Sequence, residues 1–344
     1  MSLNDREASL KQAMTTMLPA LETELQHQVG RLDVPATRDF YAMLTYHMGW
    51  NGNEAKPEQT GKRIRPLLLL LVCAACKTEW LHASLAAAAI ELVHNFSLIH
   101  DDIQDNSPTR RGRPTVWKKF GMPMAINAGD ALFTIASQAM LNLSESCEPA
   151  TIVKAAQVLH TACLELTQGQ YLDLAYQSRA DLSVADYFTM IDGKTAALIS
   201  AASEIGALIG EASSDLVGHY RKFGRNLGLA FQVKDDILGI WGNEATTGKS
   251  TATDLVEGKN SLPVLFAINK KGKFAERWSK GHITPAEVPH LTQLLRDEAA
   301  YDYSHEEAER LTGLALDALN AANPRGAYGS ALFELADILL KRDY

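Results

Sequence analysis

The feature that most constrains the fold of this chain is the helical spacing of its alanine and leucine residues. The pattern is clearest over residues 155–177, 194–210 and 306–320, and runs of alternating β-branched residues, which would predict strands, are absent. With 344 residues, 46% of them apolar, the chain could form one large or two ordinary domains, and residues 60–340 contain no stretch resembling a flexible linker. We therefore predict a single all-α domain over residues 1–344, a bundle of roughly ten or more helices.

Two clusters of aspartates each follow an apolar helical run. The first contains Asp101, Asp102 and Asp105, and the second contains Asp235 and Asp236. Because residues i and i+4 share a helix face, Asp101 and Asp105 project side by side, and a hard cation between them would relieve their repulsion. Mg²⁺ suits this place, since it commonly takes one or two carboxylates together with water and substrate phosphate oxygens. The spacing predicts a divalent-metal clamp for a diphosphate, with the second cluster facing the first.

Basic residues are concentrated beside these aspartates, although the net charge of the chain is −8. Arg110, Arg111 and Arg113 follow the first cluster, Lys249 and Lys259 follow the second, and Lys62 and Arg65 precede an earlier apolar run. Guanidinium groups match phosphate oxygens in bidentate fashion, and this set is too large for one phosphate group. We therefore predict two polyanionic substrates, and the acidic balance argues against a general nucleic-acid-binding surface.

The four cysteines and the length of the apolar stretches indicate the cellular compartment and whether the chain spans a membrane. With no signal peptide, four cysteines indicate a reducing cytoplasm. Cys73 and Cys76 form a CxxC inside an apolar helix, but there is no second pair, which argues against a zinc site. The apolar stretch 67–76 is far shorter than the ~20 residues that a membrane span needs. We expect a cytoplasmic protein without a transmembrane segment.

The motifs around these residues resemble those of the trans-isoprenyl diphosphate synthases, the polyprenyl synthetases. The matching stretches follow the order of the family and are residues 61–66, 91–102, 110–112, 169–170, 194–195, 231–236 and 258–259. The resemblance implies an isoprenoid-synthase-type helical bundle around a deep central cavity, and a homodimer. It also implies a Mg²⁺-dependent prenyltransferase with several metal ions in each active site, for which Mn²⁺ is an alternative.

The resemblance assigns roles to individual residues. The implied metal ligands are Asp101, Asp102, Asp105, Asp235 and Asp236, and the implied catalytic groups are Asp101, Asp105, Asp235, Arg110 and Lys194. Isopentenyl diphosphate is assigned to Lys62, Arg65, His94 and Arg111. The allylic diphosphate is assigned to Arg110, Gln170, Lys194, Thr195, Gln232, Lys249 and Lys259. One departure is Gly239, which stands where many relatives have a third aspartate, so Asp235 is expected to be the principal ligand of the second cluster.

The sequence also bears on product length and on two competing functions. Phe96, five residues before Asp101 and followed by the small Ser97, resembles the arrangement in geranylgeranyl diphosphate synthases, which implies a twenty-carbon product. Farnesyl and longer polyprenyl diphosphates are the alternatives. A terpene cyclase would not need the second cationic set around Lys62, and a non-catalytic partner subunit would be expected to have lost the first aspartate cluster.

Overall fold

The computed structural model describes residues 3–50, 57–76, 79–242 and 253–340. The α-helices in these ranges are α1 (Leu3–Gly30), α2 (Arg38–Met48), α3 (Pro57–Thr60), α4 (Ile64–Cys76), α5 (Ser84–Gln104), α6 (Val116–Phe120), α7 (Met122–Leu141), α8 (Pro149–Tyr176), α9 (Val184–Ile191), α10 (Ala197–Ile209), α11 (Ser214–Trp241), α12 (Thr253–Val256), α13 (Leu262–Lys270), α14 (Lys273–Trp278), α15 (Val288–Asp297), α16 (Ala300–Ala322) and α17 (Gly326–Leu340). Short 3-10 segments are Pro35–Thr37, Trp80–Ala83, Asn142–Glu145 and Pro285–Glu287, and a π-helical turn, Asp192–Ala196, joins α9 to α10. The all-α prediction is confirmed.

The strand content of the described ranges is one small hairpin. It pairs β1 (Thr109–Arg110) with β2 (Arg113–Pro114) in antiparallel register, Thr109 opposite Pro114. Arg111 and Gly112 form the turn, both at positive φ. The hairpin therefore presents the three predicted arginines from one short, well-defined turn.

The chain divides into two compact units, each assembled from three segments. The first unit contains Met1–His160, Ala201–Val217 and Asn323–Glu334. The second unit contains Thr161–Ser200, Gly218–Ala322 and Leu335–Tyr344. The prediction of a single domain over residues 1–344 stays a prediction.

The first unit is built around α4 and α5. Leu67–Leu71 of α4 are all at most 1% exposed, as expected for a helix that is apolar on every side. Each buried leucine contributes about 1.5–3 kcal/mol relative to an exposed one. In α5 the alanines 86–89 are fully buried, and their small side chains let α5 pack closely on α1, α4 and α7. This packing fixes the direction of α5, whose C-terminal end carries the first aspartate cluster.

The second unit has an apolar core below the second aspartate cluster. Ile240 at the end of α11 and Leu255 of α12 are buried in one cluster with Phe274 of α14. The rings of Phe266 and Tyr303 stack at 4.1 Å between α13 and α16. This core holds α12 beside the end of α11. Among the residues that the structure describes, no helix combines the length and hydropathy that a transmembrane span requires.

Candidate active site

The first aspartate cluster lies at the C-terminal end of α5, and its helical geometry is intact. The backbone N–H of Asp105 donates to the carbonyl of Asp101 at 2.8 Å, so the two side chains occupy one helix face. Asp105 is exposed and Asp101 is half-buried. These carboxylates are therefore placed where a cation from solvent can reach them.

Asp102 lies on another side of the same helix and has a different environment. It is buried, and the guanidinium of Arg110 donates to both of its oxygens, with Nε at 2.9 and 3.0 Å. Burial raises the pKa of this carboxyl, against the effect of the bound guanidinium. Asp102 thus attaches the arginine hairpin to α5. Its role as a metal ligand stays a prediction, and this geometry favours a positioning role for both Asp102 and Arg110.

Three different anchors hold the arginines of the hairpin. While Arg110 binds Asp102, Arg111 donates from Nη1 to the carbonyl of Gln59 at 3.0 Å, three residues before Lys62. Arg113 donates from Nη2 to the carbonyl of Tyr46 at 3.0 Å, and the Tyr46 hydroxyl donates to the carbonyl of Pro114 at 2.8 Å. The hairpin is thereby fixed against both α2 and the segment that leads into α4.

The residues predicted to bind isopentenyl diphosphate belong to this same unit. Arg65 at the start of α4 lies 3.3 Å from Nε2 of His94 on α5, measured from its Nη1. Lys62 is exposed, and Arg111 is held next to the same segment. Burial lowers the pKa of both Arg65 and Arg111, while burial and the neighbouring arginines lower that of His94 well below its usual value.

Arg63, between Lys62 and Arg65 in the sequence, differs from Arg65 and Arg111 because carboxylates neutralise its charge. It is buried between Glu91, at 2.7 Å, and Glu22, at 3.2 Å. Burial alone would lower its pKa, but the two carboxylates outweigh this effect and raise it. Within the described ranges, no carboxylate forms such an ion pair with Arg65 or Arg111. Half-buried cations without a carboxylate ion-pair partner favour an anionic ligand.

The two aspartates of the second cluster, on α11, also have different environments. Asp235 is exposed, whereas Asp236 is buried. Asp236 accepts hydrogen bonds from the Tyr187 hydroxyl (2.7 Å), the Leu262 backbone N–H (3.0 Å) and Gln232 Nε2 (2.9 Å). Burial raises the pKa of Asp236 to about 7 in spite of these donors. Asp236 is therefore bonded into the interior of the second unit.

The π-helical turn carries Lys194 and Thr195. The Thr195 hydroxyl donates to Gln232 Oε1 at 2.8 Å, and Gln232 in turn donates to Asp236, so predicted allylic-substrate residues are linked to the second cluster. Lys194 Nζ donates to Asp173. Gln170 of α8 is buried in the same unit. Such π turns are rare and occur frequently at functional sites.

Gly169 explains how this turn fits against α8. A Cβ at Gly169 would lie 2.6 Å from the carbonyl carbon of Gly193 and would overlap the Lys194 nitrogen. Only glycine allows α8 to approach the backbone of the turn this closely. The turn is also fixed by Arg225, which donates to Asp192 (2.6 Å) and Glu165 (2.7 Å). Sequence reasoning missed the roles of Asp173 and Arg225, because each depends on a partner far away in the chain.

Gly239, the departure from the family pattern in the second cluster, lies against Asp254 of α12. A Cβ at position 239 would be 2.8 Å from Cγ of Asp254 and would overlap one of its oxygens. The other oxygen accepts a hydrogen bond from Lys259 Nζ at 2.8 Å. Because position 239 is one helical turn after Asp235, a carboxylate supplied by α12 stands on the face where the third aspartate would be.

The donor set is suited to Mg²⁺. In the part of the chain that the structure describes, no three His, Cys, Asp or Glu side chains are gathered in metal-binding geometry. Asp101, Asp105 and Asp235 instead offer hard carboxylate oxygens at accessible positions. Accessible carboxylates of this kind, on α5 in the first unit and on α11 in the second, fit a metal that keeps water and substrate oxygens in its coordination sphere. Lys249 lies outside the described residues.

The residues predicted to set product length lie on α5, in the first unit. Phe96 is buried, and its ring contacts those of Phe133 on α7 (5.1 Å between centroids) and His100 (5.5 Å). Ser97 is buried and donates to the carbonyl of His94 at 2.8 Å. Phe133, which sequence reasoning did not single out, thus packs directly on Phe96.

Comparisons with known proteins agree on one family. The profile described as Polyprenyl synthetase matches residues 54–295. The chain is 35% identical over 308 residues to a geranylgeranyl diphosphate synthase of Mycobacterium tuberculosis, covering 88% of this chain and 86% of that one. It is 38% identical to a (2E,6E)-farnesyl diphosphate synthase of Mycobacterium bovis, covering 74% and 69%. A geranylgeranyl pyrophosphate synthetase structure from Pyrococcus horikoshii superposes with a TM-score of 0.88 at 30% identity, covering 98% and 99%.

Proposed function

Since the chain belongs to the polyprenyl synthetase family and is a prenyltransferase, we propose that it condenses an allylic diphosphate with isopentenyl diphosphate, with geranylgeranyl diphosphate as main product. The observation that carries the proposal is the pairing of two kinds of diphosphate-binding group in the first unit. Asp101 and Asp105 present accessible carboxylates for a metal-bound diphosphate. Arg65 and Arg111 are half-buried guanidiniums without a carboxylate ion-pair partner among the described residues, which suits a metal-free diphosphate.

The residues act as follows in the proposed reaction. Asp101 and Asp105 of the first unit and Asp235 of the second would hold Mg²⁺, which when bound would supply positive charge that stabilises the departing pyrophosphate. Lys194 and Lys259 add positive charge, and Thr195 and Gln232 orient the allylic substrate. The allylic C–O bond breaks and the double bond of isopentenyl diphosphate attacks the allylic carbon. A proton is then lost to the pyrophosphate, which completes the longer allylic product.

A direct test measures pyrophosphate release from the purified protein with Mg²⁺ or Mn²⁺. Release is expected only when an allylic diphosphate and isopentenyl diphosphate are both present, and the labelled product should contain mainly twenty carbons. Release from an allylic diphosphate alone would indicate a cyclase. Farnesyl diphosphate is the second candidate product, because a farnesyl diphosphate synthase is among the relatives.

Lys62→Ala and Arg65→Met are expected to raise the KM for isopentenyl diphosphate by about ten- to a hundredfold, because each removes a charge-assisted contact worth about 1.5–3 kcal/mol. The KM for the allylic substrate should change little. Steady-state kinetics with each substrate varied in turn measures both values. Lys11→Ala, an exposed lysine on α1, is the control. If the allylic KM were affected more, the two substrate assignments would have to be exchanged.

Phe96→Ala is expected to lengthen the product, and Ser97→Phe is expected to shorten it toward fifteen carbons. Phe96→Ala removes a ring that we expect to block growth of the hydrocarbon chain along α5. Ser97→Phe adds a ring one residue closer to Asp101. Chromatographic sizing of labelled products measures the distribution, with circular dichroism as the control for folding. If folded Phe96→Ala gave an unchanged distribution, Val93 or Ile90 would be the next residues to test.

We further propose a homodimer formed through apolar helix surfaces. In support, α7 exposes Met122, Met124, Ile126 and Leu141, each between 44% and 59%. Sedimentation equilibrium at micromolar concentration should give twice the chain mass of 37.6 kDa. A single-chain mass at that concentration would contradict the proposal.

We also propose a cytoplasmic location, which the four free cysteines support.

A further inference from the structure

A small cavity lies under the arginine hairpin, entirely within the first unit. It has a volume of about 20 Å³, and its lining includes Tyr46, His47, Asp102, Arg111 and Arg113. A cavity of this size holds one oxygen atom of a ligand, or one water molecule. The residues that line it come from α2, the end of α5, the hairpin and the start of α6.

Two polar atoms of this lining are buried without a hydrogen-bond partner among the described residues. They are Nε2 of His47 and Nε of Arg113. His47 is only 7% exposed. Buried polar groups in native proteins are almost always bonded to protein or to ordered water. Unsatisfied atoms on two residues that line one cavity therefore indicate a polar group bound in that cavity.

The charge around His47 indicates which kind of partner this is. Burial lowers the pKa of His47 to about 3, and Arg111, Arg110, Arg63 and Arg113 contribute to the lowering. The ring is therefore neutral, and it stands in a positive field that repels cations and attracts anions. His47 is also close enough to His94 to contribute to the lowered pKa of that residue. Arg111, which is assigned to isopentenyl diphosphate, lines the cavity, so the cavity adjoins that predicted site.

We propose that His47 is a further binding residue of the isopentenyl diphosphate site, with its Nε2 hydrogen-bonded to an oxygen of the diphosphate beside Arg111. This inference rests on the proposed function, which assigns that substrate to Lys62, Arg65, His94 and Arg111. In this arrangement the substrate oxygen satisfies the unpaired atom of His47. The allylic diphosphate does not use His47.

The experiment compares His47→Phe, which keeps the ring but removes both nitrogens, with His47→Gln, which keeps a donor near the Nε2 position. His82→Phe, a more exposed histidine in the same unit, is the matched control. Three quantities are measured: the Kd of isopentenyl diphosphate without metal, by calorimetry; the KM of each substrate; and the Tm. Calorimetry without metal reports binding independently of turnover.

His47→Phe should raise the Kd and KM for isopentenyl diphosphate roughly tenfold or more, the loss of one bond to a charged group. The allylic KM should be unchanged. Its Tm should stay level or rise, because an apolar ring replaces an unsatisfied polar one. For His47→Gln, the Kd and KM for isopentenyl diphosphate should stay within about threefold of the wild-type values. For His82→Phe, both constants should equal the wild-type values.

Two outcomes for a folded His47→Phe protein would overturn the proposal. An unchanged Kd and KM for isopentenyl diphosphate would mean that the cavity holds water only. A lower Tm with both substrates equally impaired would mean that His47 has a structural role only. Failure of the proposed function is distinguishable from both outcomes. In that case the wild-type protein would release pyrophosphate without needing isopentenyl diphosphate, and this result would overturn both proposals.

Discussion

Replacing Asp105 by alanine is expected to reduce turnover by about a thousandfold or more, since metal stabilisation of the leaving group is worth several kcal/mol and each ~1.4 kcal/mol is a factor of ten. The free energy of unfolding should not fall. Asp105 is exposed at the end of α5 and shares a face with Asp101, so its removal relieves repulsion between two carboxylates. Asp101→Ala should lose activity to a similar extent.

Single-turnover kinetics at saturating Mg²⁺ and urea denaturation measure the two effects separately. Asp39→Ala, which removes an exposed carboxylate from α2 of the same unit, is the control and should keep full activity. Activity like that of the wild type in Asp101→Ala or Asp105→Ala would refute the metal clamp and with it the proposed reaction.

Replacement of the two aspartates of the second cluster is expected to have different effects, on turnover for Asp235 and on stability for Asp236. Asp235→Ala should lower turnover nearly as far as Asp105→Ala, with unchanged stability, because Asp235 is exposed. Asp236→Ala should lower the free energy of unfolding by about 3 kcal/mol or more. It leaves the buried Tyr187 hydroxyl and the Leu262 N–H without their acceptor, and each unsatisfied buried group costs about 1–3 kcal/mol.

Urea denaturation gives the stabilities, and turnover is compared at a temperature where both variants are folded. Under those conditions Asp236→Ala should retain more activity than Asp235→Ala. The reverse order of activities would show that Asp236 rather than Asp235 is the principal metal ligand of this helix. Equal stabilities would contradict the structural role assigned to the hydrogen bonds of Asp236.

Much of the fold and part of the site could be predicted from the sequence, because they depend on local regularities. Helical spacing predicts the all-α class, and the i, i+4 spacing predicts that Asp101 and Asp105 share a face. The order of the motifs predicts the family. In each case the information lies within a few turns of one helix, or in a pattern that the whole family repeats.

The parts that could not be predicted depend on contacts between distant segments. Nothing local indicates that Asp102 is turned inward to bind Arg110, or that Asp236 is buried beside Tyr187 while its neighbour Asp235 is exposed. The π turn at Lys194 follows from the close approach of another helix at Gly169. His47 has no motif of its own, and only its burial without a partner reveals it. Among these features, only the π turn had a signal in the sequence, which is Gly169, the glycine that allows the close approach.

The contact between Gly239 and Asp254 has a consequence for how this sequence can evolve. An aspartate placed at position 239 would enter space that the Asp254 carboxylate fills, and it would place two like charges together. We therefore expect an aspartate at position 239 to require that the Asp254 side chain move or that position 254 change as well. We expect the two positions to be epistatic, so that the residue tolerated at one depends on the residue present at the other.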